Sequence, residues 1–218
     1  MYTIQDLFDL SHTRAAAYLT AFTYPWEALA GISDLIRQLG PALGEEFEQR
    51  APEVWVHRTA TVAPTAYLGA PCIIGAGTEV RHGAFIRGSA LVGDGCVVGN
   101  SVELKNVILF DGVQTPHYNY VGDSILGYKA HMGAGSITSN VKSDKTLVVI
   151  REGEERMPTQ RKKVGAILGS YVEVGCNSVL NPGTVIGPHS NVYPTSSVRG
   201  TIPPYHIYKS QTEIIAKK

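Results

Sequence analysis

Residues 56–110 read VHRTATVAPTAYLGAPCIIGAGTEVRHGAFIRGSALVGDGCVVGNSVELKNVILF. Every sixth position is apolar: Val56, Val62, Leu68, Ile74, Val80, Ile86, Val92, Val98, Leu104 and Phe110. With 44% hydrophobic residues in the chain, ten such positions in a row arise by chance roughly once in several thousand trials. The next residue is often Gly or Ala, as at Ala63, Gly69, Gly75, Gly93 and Gly99, and the residue four further on is small or apolar, as at Ala60, Ala66, Cys72, Thr78, Ala84, Ala90, Cys96 and Val102. A second run follows at Leu168, Val174, Leu180, Ile186, Val192 and Val198. Period six suits neither a helix nor a hairpin. It suits short strands with tight corners, stacked as a parallel β-helix whose apolar residues point into a narrow prism. Three hexapeptides close one triangular coil, and coils stack about 4.8 Å apart.

Two segments fall outside the repeat. Residues 1–50 read as a small helical cap over an open coil end, with helices over residues 13–22, over residues 28–39 ending at Gly40, and over residues 41–50. Tyr24, Pro25 and Trp26 read as packing residues of that cap. Residues 141–163 are rich in charge and read as a protruding arm, with a strand over residues 146–150 and a turn at Glu152 and Gly153. The organisation expected is therefore a cap over 1–50, a β-helix over 51–208 carrying the arm 141–163, and a tail over 209–218.

Nineteen basic residues balance nineteen acidic ones, so nothing draws the chain electrostatically to nucleic acid or an anionic membrane. The opening MYTIQDLFDL has neither a basic leader nor an apolar core, and no apolar run approaches the roughly 20 residues that span a bilayer. Three scattered cysteines give neither a disulfide framework nor a zinc motif. Cys72 and Cys96 fall at inward positions. The expectation is a cytoplasmic protein without a metal.

Against this regular background the exceptions stand out. The position after the inward residue carries Arg87 and Lys105, 18 residues apart and so stacked one coil over the other. Two cations at that spacing repel unless an anion lies between them, and a phosphate suits both. His117 stands on the adjacent edge, followed by Tyr118, Asn119 and Tyr120. The frame slips by one near Val121–Ile125, and slips of this kind re-aim side chains.

The motifs FIRGSALVGDGCVVGNSVELKN, HYNYVGDSILG, GAGSITSN and VGAILGSYVEVGCNSVLNPGTVIG, gapless in spacing from Arg87 through Asn140, resemble the acetyltransferase domain of the bifunctional bacterial enzyme that makes UDP-N-acetylglucosamine. Archaeal sugar-phosphate acetyltransferases are similar. The likeness covers residues 54–205 and includes no nucleotidyltransferase half. It implies an all-β solenoid, a left-handed parallel β-helix of hexapeptide repeats; the handedness comes from the resemblance alone. It also implies acetyl-CoA as co-substrate, an amino-sugar phosphate as acceptor, and a homotrimer with sites between subunits.

The roles it implies are these. His117 would be the general base, and Arg87, Lys105 and Tyr120 would bind the phosphate. Asn140 would hold the sugar or its amine. Gly133, Ala134 and Gly135 would present backbone to the acetyl thioester, and Cys176 and Pro194 would line the pantetheine path. Where the family has an asparagine that contacts the sugar, this chain has His131, which leaves the sugar open and offers a second imidazole. The cations Arg161, Lys162 and Lys163, or the tail lysines Lys217 and Lys218, would meet the phosphates of CoA or else be a solvated charge run.

The chemistry expected is direct attack of the amine on the thioester. Histidine accepts the proton, backbone N–H groups around residues 133–135 stabilise the oxyanion, and no acyl-enzyme forms. The competing readings are an acceptor in the form of another amino sugar, such as a nucleotide-linked one, and a non-catalytic binding scaffold. A zinc carbonic anhydrase on the same β-helix would need three converging histidines, which the dispersed His57, His82, His117, His131, His189 and His206 do not offer.

Overall fold

The structure, a computed structural model, describes residues 1–217. Lys218, one of the two tail lysines, lies outside the described residues. The chain is an all-β solenoid of the left-handed parallel β-helix class. Its strands stack in parallel on three faces, which we call first, second and third in the order the chain visits them after Thr61. Inward residues form one column per face. Val62, Val80 and Val98 run down the first, Leu68, Ile86 and Leu104 down the second, and Val56, Ile74 and Val92 down the third. These side chains are buried apart from Val62 and Leu68 in the first coil. Cys72 and Cys96 sit in the core as expected, and burial pushes both thiols up to about 12.

The repeat shortens earlier than the sequence suggested. Val92 pairs with Leu109, not Phe110, so the coil that contains Lys105 already spans 17 residues. Val121 lies opposite Leu104 and Leu126 opposite Leu109, so the next coil is equally short. In both coils the strand runs unbroken through the corner from the second face to the third, over Glu103–Leu109 and Tyr120–Leu126. The corner residues Asn106 and Asp123 take positive φ, 55° and 49°, a conformation in which Asn and Asp are the best tolerated residues after glycine. Phe110 is displaced outward and stacks on Phe8 at 5.0 Å.

The third face is apolar on both sides. Ile73, Leu91, Ile108, Ile125, Ile167 and Val185 point away from the prism, between inward neighbours, and each is at most 1% exposed. Burying one such side chain contributes about 1.5–3 kcal/mol, which explains where the N-terminal segment goes. Its helices do not close a coil end. Helices α1 (Ile4–Leu7), α2 (Ala16–Leu19) and α3 (Ile32–Leu39), with a 3-10 turn over Pro25–Ala30, pack along the flank of the solenoid. The helix expected over 13–22 is only the four residues of α2, and Gly31 divides the one expected over 28–39. Residues 41–50 are largely not helical. Phe47–Ala51 is a strand antiparallel to Val54–His57, closing the sheet edge that the first coil would leave open. Trp26 is 3% exposed, stacked on Tyr24 at 4.8 Å, in the packing role foreseen.

The arm folds back instead of protruding. Val149–Glu152 and Glu155–Pro158 form a hairpin. Val148 and Ile150 are fully buried, the hairpin contacts the third-face strands Thr184–Ile186 and Thr201–Ile202, and the Thr201 hydroxyl donates to the Arg151 carbonyl at 2.9 Å. The tail also joins the fold, with Glu213–Ala216 pairing antiparallel to His206–Ser210. No described helix is long and apolar enough to cross a membrane.

Candidate active site

The solenoid brings the residues singled out in the sequence to one face and its two borders. His117 ends the strand Gln114–His117 at the turn from the first face to the second. Its strand partner is Asn100, not Gly99, because the shortened coil has advanced the register by one. Its imidazole is exposed and makes no hydrogen bond within the described residues. The turn beneath it is fixed by Asn119, 2% exposed, which the sequence reading passed over. The Asn119 side-chain oxygen accepts from the His117 N–H at 3.2 Å, and its amide donates to the carbonyls of Gly133 at 2.9 Å and Ser136 at 3.0 Å. The Gly135 N–H donates to the His117 carbonyl at 3.0 Å. The histidine turn and the 133–136 turn are thereby clipped into one unit. Close approach of the two coils demands glycine at position 99, where a Cβ would overlap the Pro116 carbonyl.

At the far border of the second face, Arg87 and Lys105 do occupy equivalent positions in successive coils: the pairs Phe85–Glu103 and Ile86–Leu104 immediately precede them. They need no external anion to coexist, because each has its own carboxylate. Arg87 donates to Glu103 at 2.7 Å, and Lys105 donates to both oxygens of Asp123 at 3.0 and 3.1 Å. One donor of Arg87 is used and the rest of its fork faces outward, with the residue exposed.

Asp123 is the second residue the sequence reading missed, and it organises this border. It is 2% exposed and accepts from Lys105, from the Asn106 amide at 2.9 Å and from the Asn140 amide at 2.6 Å. Asn106, Asp123 and Asn140 recur at intervals of 17 residues along one corner, which is the sequence signal that could have revealed them. Asn140 also donates to the Tyr120 hydroxyl oxygen at 3.2 Å, while the Tyr120 O–H itself finds no acceptor among the described residues. Burial, then the nearby Asp123 and Glu103 carboxylates, pushes the Tyr120 phenol up, so it stays protonated and able to donate. Tyr120, Asn140, Asp123 and Lys105 thus form one hydrogen-bonded run, with Arg87 alongside.

His131 points outward on the first face and is held by Glu173 at 2.7 Å; the structure does not bring it into the hydrogen-bonded run. In the 133–136 turn, the Gly133 N–H is taken by the Val174 carbonyl at 2.7 Å and the Gly135 N–H by His117. Both are spent on the coil, which corrects the expectation that they face an oxyanion. The Ala134 N–H alone of the three enters no hydrogen bond among the described residues. Cys176 is exposed, and the backbone of Pro194 lies directly beneath Gly175 in the same column of turns. Arg161, Lys162 and Lys163 line a cleft beside Lys105, while Lys217 lies in the C-terminal strand region, its N–H donating to the Tyr205 carbonyl at 2.7 Å. No group of three or more metal-ligating side chains converges among the described residues.

Residues 70–202 match the family model described as the GMPPB C-terminal domain. A bifunctional sugar-1-phosphate nucleotidylyltransferase/acetyltransferase of Sulfurisphaera tokodaii is 35% identical over 98 residues, 45% of this chain and 24% of that protein. A bifunctional protein GlmU of Methanococcus maripaludis is 28% identical over 205 residues, 92% of this chain and 50% of that protein. Among solved structures, a hexapeptide transferase family protein from Anaplasma phagocytophilum is 15% identical, covering 76% of this chain and 80% of its own, with a TM-score of 0.42. The chain spans about a quarter to a half of the length of these two curated relatives.

Proposed function

The chain belongs to the GMPPB C-terminal domain family, and from that premise we propose that it is an acetyl-CoA-dependent N-acetyltransferase whose acceptor is an amino sugar phosphorylated at C1, such as glucosamine 1-phosphate or galactosamine 1-phosphate. The observation that carries the reading is the gathering of Lys105, Asn140 and Tyr120 through Asp123, with Arg87 alongside on its own carboxylate Glu103 and the open imidazole of His117 at the same face's other border. The similar protein of Sulfurisphaera tokodaii bears the name acetyltransferase, which supports the reaction class.

In this reading the phosphate takes the free fork of Arg87, the Lys105 ammonium and the Tyr120 O–H. Anchoring that end turns amine attack into a nearly intramolecular event. The amine nitrogen attacks the thioester carbon, and His117 Nε2 or Nδ1 accepts the proton the nitrogen must lose. The Ala134 N–H is the donor left for the oxyanion. The C–N bond forms, the C–S bond breaks, and CoA leaves as a thiolate that takes up a proton. Pantetheine follows the column of turns from Ala134 through Cys176 to Pro194. Cys176 acts as a wall, and the acetyl group passes to nitrogen without resting on the protein.

The face is too open in one chain to exclude water. Its outward aromatics Tyr67 and Phe85 are 60% and 42% exposed, and Tyr118 beside His117 is 64% exposed. A homotrimer in which neighbouring copies cover these residues completes the site, and exposed aromatic surface of this kind suits such a contact. His131, on the adjoining face, then decides the sugar.

The test is thiol release from acetyl-CoA with glucosamine 1-phosphate and galactosamine 1-phosphate as separate acceptors. Wild type should show acceptor-dependent release, and His117→Ala should lose at least a hundredfold in kcat while keeping its circular dichroism. Absence of acceptor-dependent release with both sugars, from a protein that binds acetyl-CoA, would refute the assignment.

A further inference from the structure

A cleft of about 560 Å³ opens at the corner between the second and third faces, on the side of Lys105 away from His117. Three elements wall it. The corner contributes Lys105, Asn106 and Asp123; the N-terminal segment contributes Leu29, Ala30 and Ser33; the returning arm contributes residues 160–163. The elements are tied together: the Asn106 amide donates to the Leu29 carbonyl at 3.1 Å, and the arm's root is fixed by the bridge between Val141 and Lys163. The cleft is therefore a built feature with fixed walls.

Its charge is unbalanced. Lys105, Arg161, Lys162 and Lys163 face one acid, Asp123, which is already saturated by Lys105, Asn106 and Asn140. Among the described residues, Arg161, Lys162 and Lys163 form no ion pair. The Arg161 Nε is buried and has no hydrogen-bond acceptor. A guanidinium donor buried without an acceptor is unfavourable, and an anion bound by the rest of the Arg161 fork would offset it.

We infer that the acceptor's C1 phosphate is joined by a phosphoanhydride bond to a second phosphate bearing a nucleoside, and that this cleft holds that half; the acceptor is then a nucleoside-diphosphate-linked amino sugar. The inference rests on the proposed site. If the first phosphate lies at Arg87 and Lys105 with the amine toward His117, whatever is attached beyond that phosphate emerges into the cleft. The cleft is much larger than a single phosphate needs and falls in the range of small-molecule sites, about 300–1,000 Å³. Arg161 and its neighbouring lysines meet the second phosphate, with the Arg161 fork suited to two of its oxygens. Ala30, exposed at the cleft, supplies apolar surface for a base, and Ser33 a hydroxyl.

The same cations could instead serve the diphosphate of CoA, and the experiment separates the two sources. Steady-state thiol release is measured for the 1-phosphates and for UDP- and dTDP-linked amino sugars, in wild type and in Arg161→Ala/Lys162→Ala. The inference expects a KM at least tenfold lower for a nucleotide-linked acceptor. In the double variant it expects a KM rise at least tenfold larger for that acceptor than for the 1-phosphates, with the KM for acetyl-CoA moving less than twofold. A rise confined to acetyl-CoA would give the cleft to CoA and overturn the inference, as would equal KM values for the two acceptor classes in wild type.

Should no acceptor be turned over, the proposed function fails, and calorimetry with UDP, GDP and dTDP alone still decides the cleft. Binding that weakens at least tenfold in the double variant supports a nucleoside-diphosphate site. Absence of binding by all three overturns it.

Discussion

Replacing Asp123 tests whether one buried carboxylate holds the second-face border together. The side chain is 3% exposed and accepts four hydrogen bonds, two of them from the Lys105 ammonium. Asp123→Ala leaves that ammonium without a counter-charge and takes one of two acceptors from each of the Asn106 and Asn140 amides. Breaking a buried ion pair from one side costs about 3–5 kcal/mol. Lys105 retains 27% exposure, so its ammonium can turn to water, and the lower end, about 3 kcal/mol, applies. For a chain of this length each kcal/mol shifts the melting temperature by about 2–4 °C, which gives a fall of roughly 6–12 °C. Asp123→Asn keeps the shape and loses the charge, and should fall between the variant and wild type. Urea and thermal unfolding, followed by circular dichroism at one protein concentration to hold any association constant, read the effect. A loss under about 1 kcal/mol for Asp123→Ala would refute the reasoning, because it would mean that the four contacts add nothing beyond what water supplies.

Other consequences follow from the same geometry. A native-state thiol titration should find Cys176 reactive, with Cys72 and Cys96, pushed up to about 12 by burial, silent until unfolding; acetyl-CoA should slow the Cys176 reaction at least tenfold if pantetheine passes it. Gly99→Ala, which drives a Cβ into the Pro116 carbonyl, should cost several kcal/mol in urea unfolding or abolish soluble expression. Asn119→Ala unclips the histidine turn from the 133–136 turn and leaves carbonyls at Gly133 and Ser136 short of a donor; kcat should drop more than tenfold while the acceptor KM moves less than threefold. Ile108→Asp places a charge under the N-terminal helices where the native side chain is fully buried, and limited proteolysis should then release the first 40 or so residues ahead of the solenoid.

The solenoid was legible because its interior repeats strictly: Val56 through Leu104 mark inward positions that sequence alone identifies. The slip was misplaced for a physical reason. Ile108, Leu109 and Phe110 are all apolar, since the outward residue of the third face is itself buried by the helices, so a six-residue count lands on Phe110 as readily as on Leu109. The short helices were overdrawn because their stability comes from the apolar flank they cover, not from their own length. The strand Phe47–Ala51 gave little warning because only one of its residues is buried. At the site, the stacked cations were visible at a spacing of 18. Asp123 was not, because it repeats with Asn106 and Asn140 at 17, and a carboxylate that neutralises a lysine one coil away leaves no local pattern.

The central claim is that an acetyl group passes from CoA to the nitrogen of a phosphorylated amino sugar beside His117. It is tested most directly by incubating purified protein with carbon-13-labelled acetyl-CoA and the amino-sugar acceptors and identifying the product by nuclear magnetic resonance, with His117→Ala in parallel. The account predicts a labelled carbonyl bonded to the sugar nitrogen with wild type and only background label with the variant. Label found on a sugar hydroxyl, on the protein, or only as free acetate would contradict it.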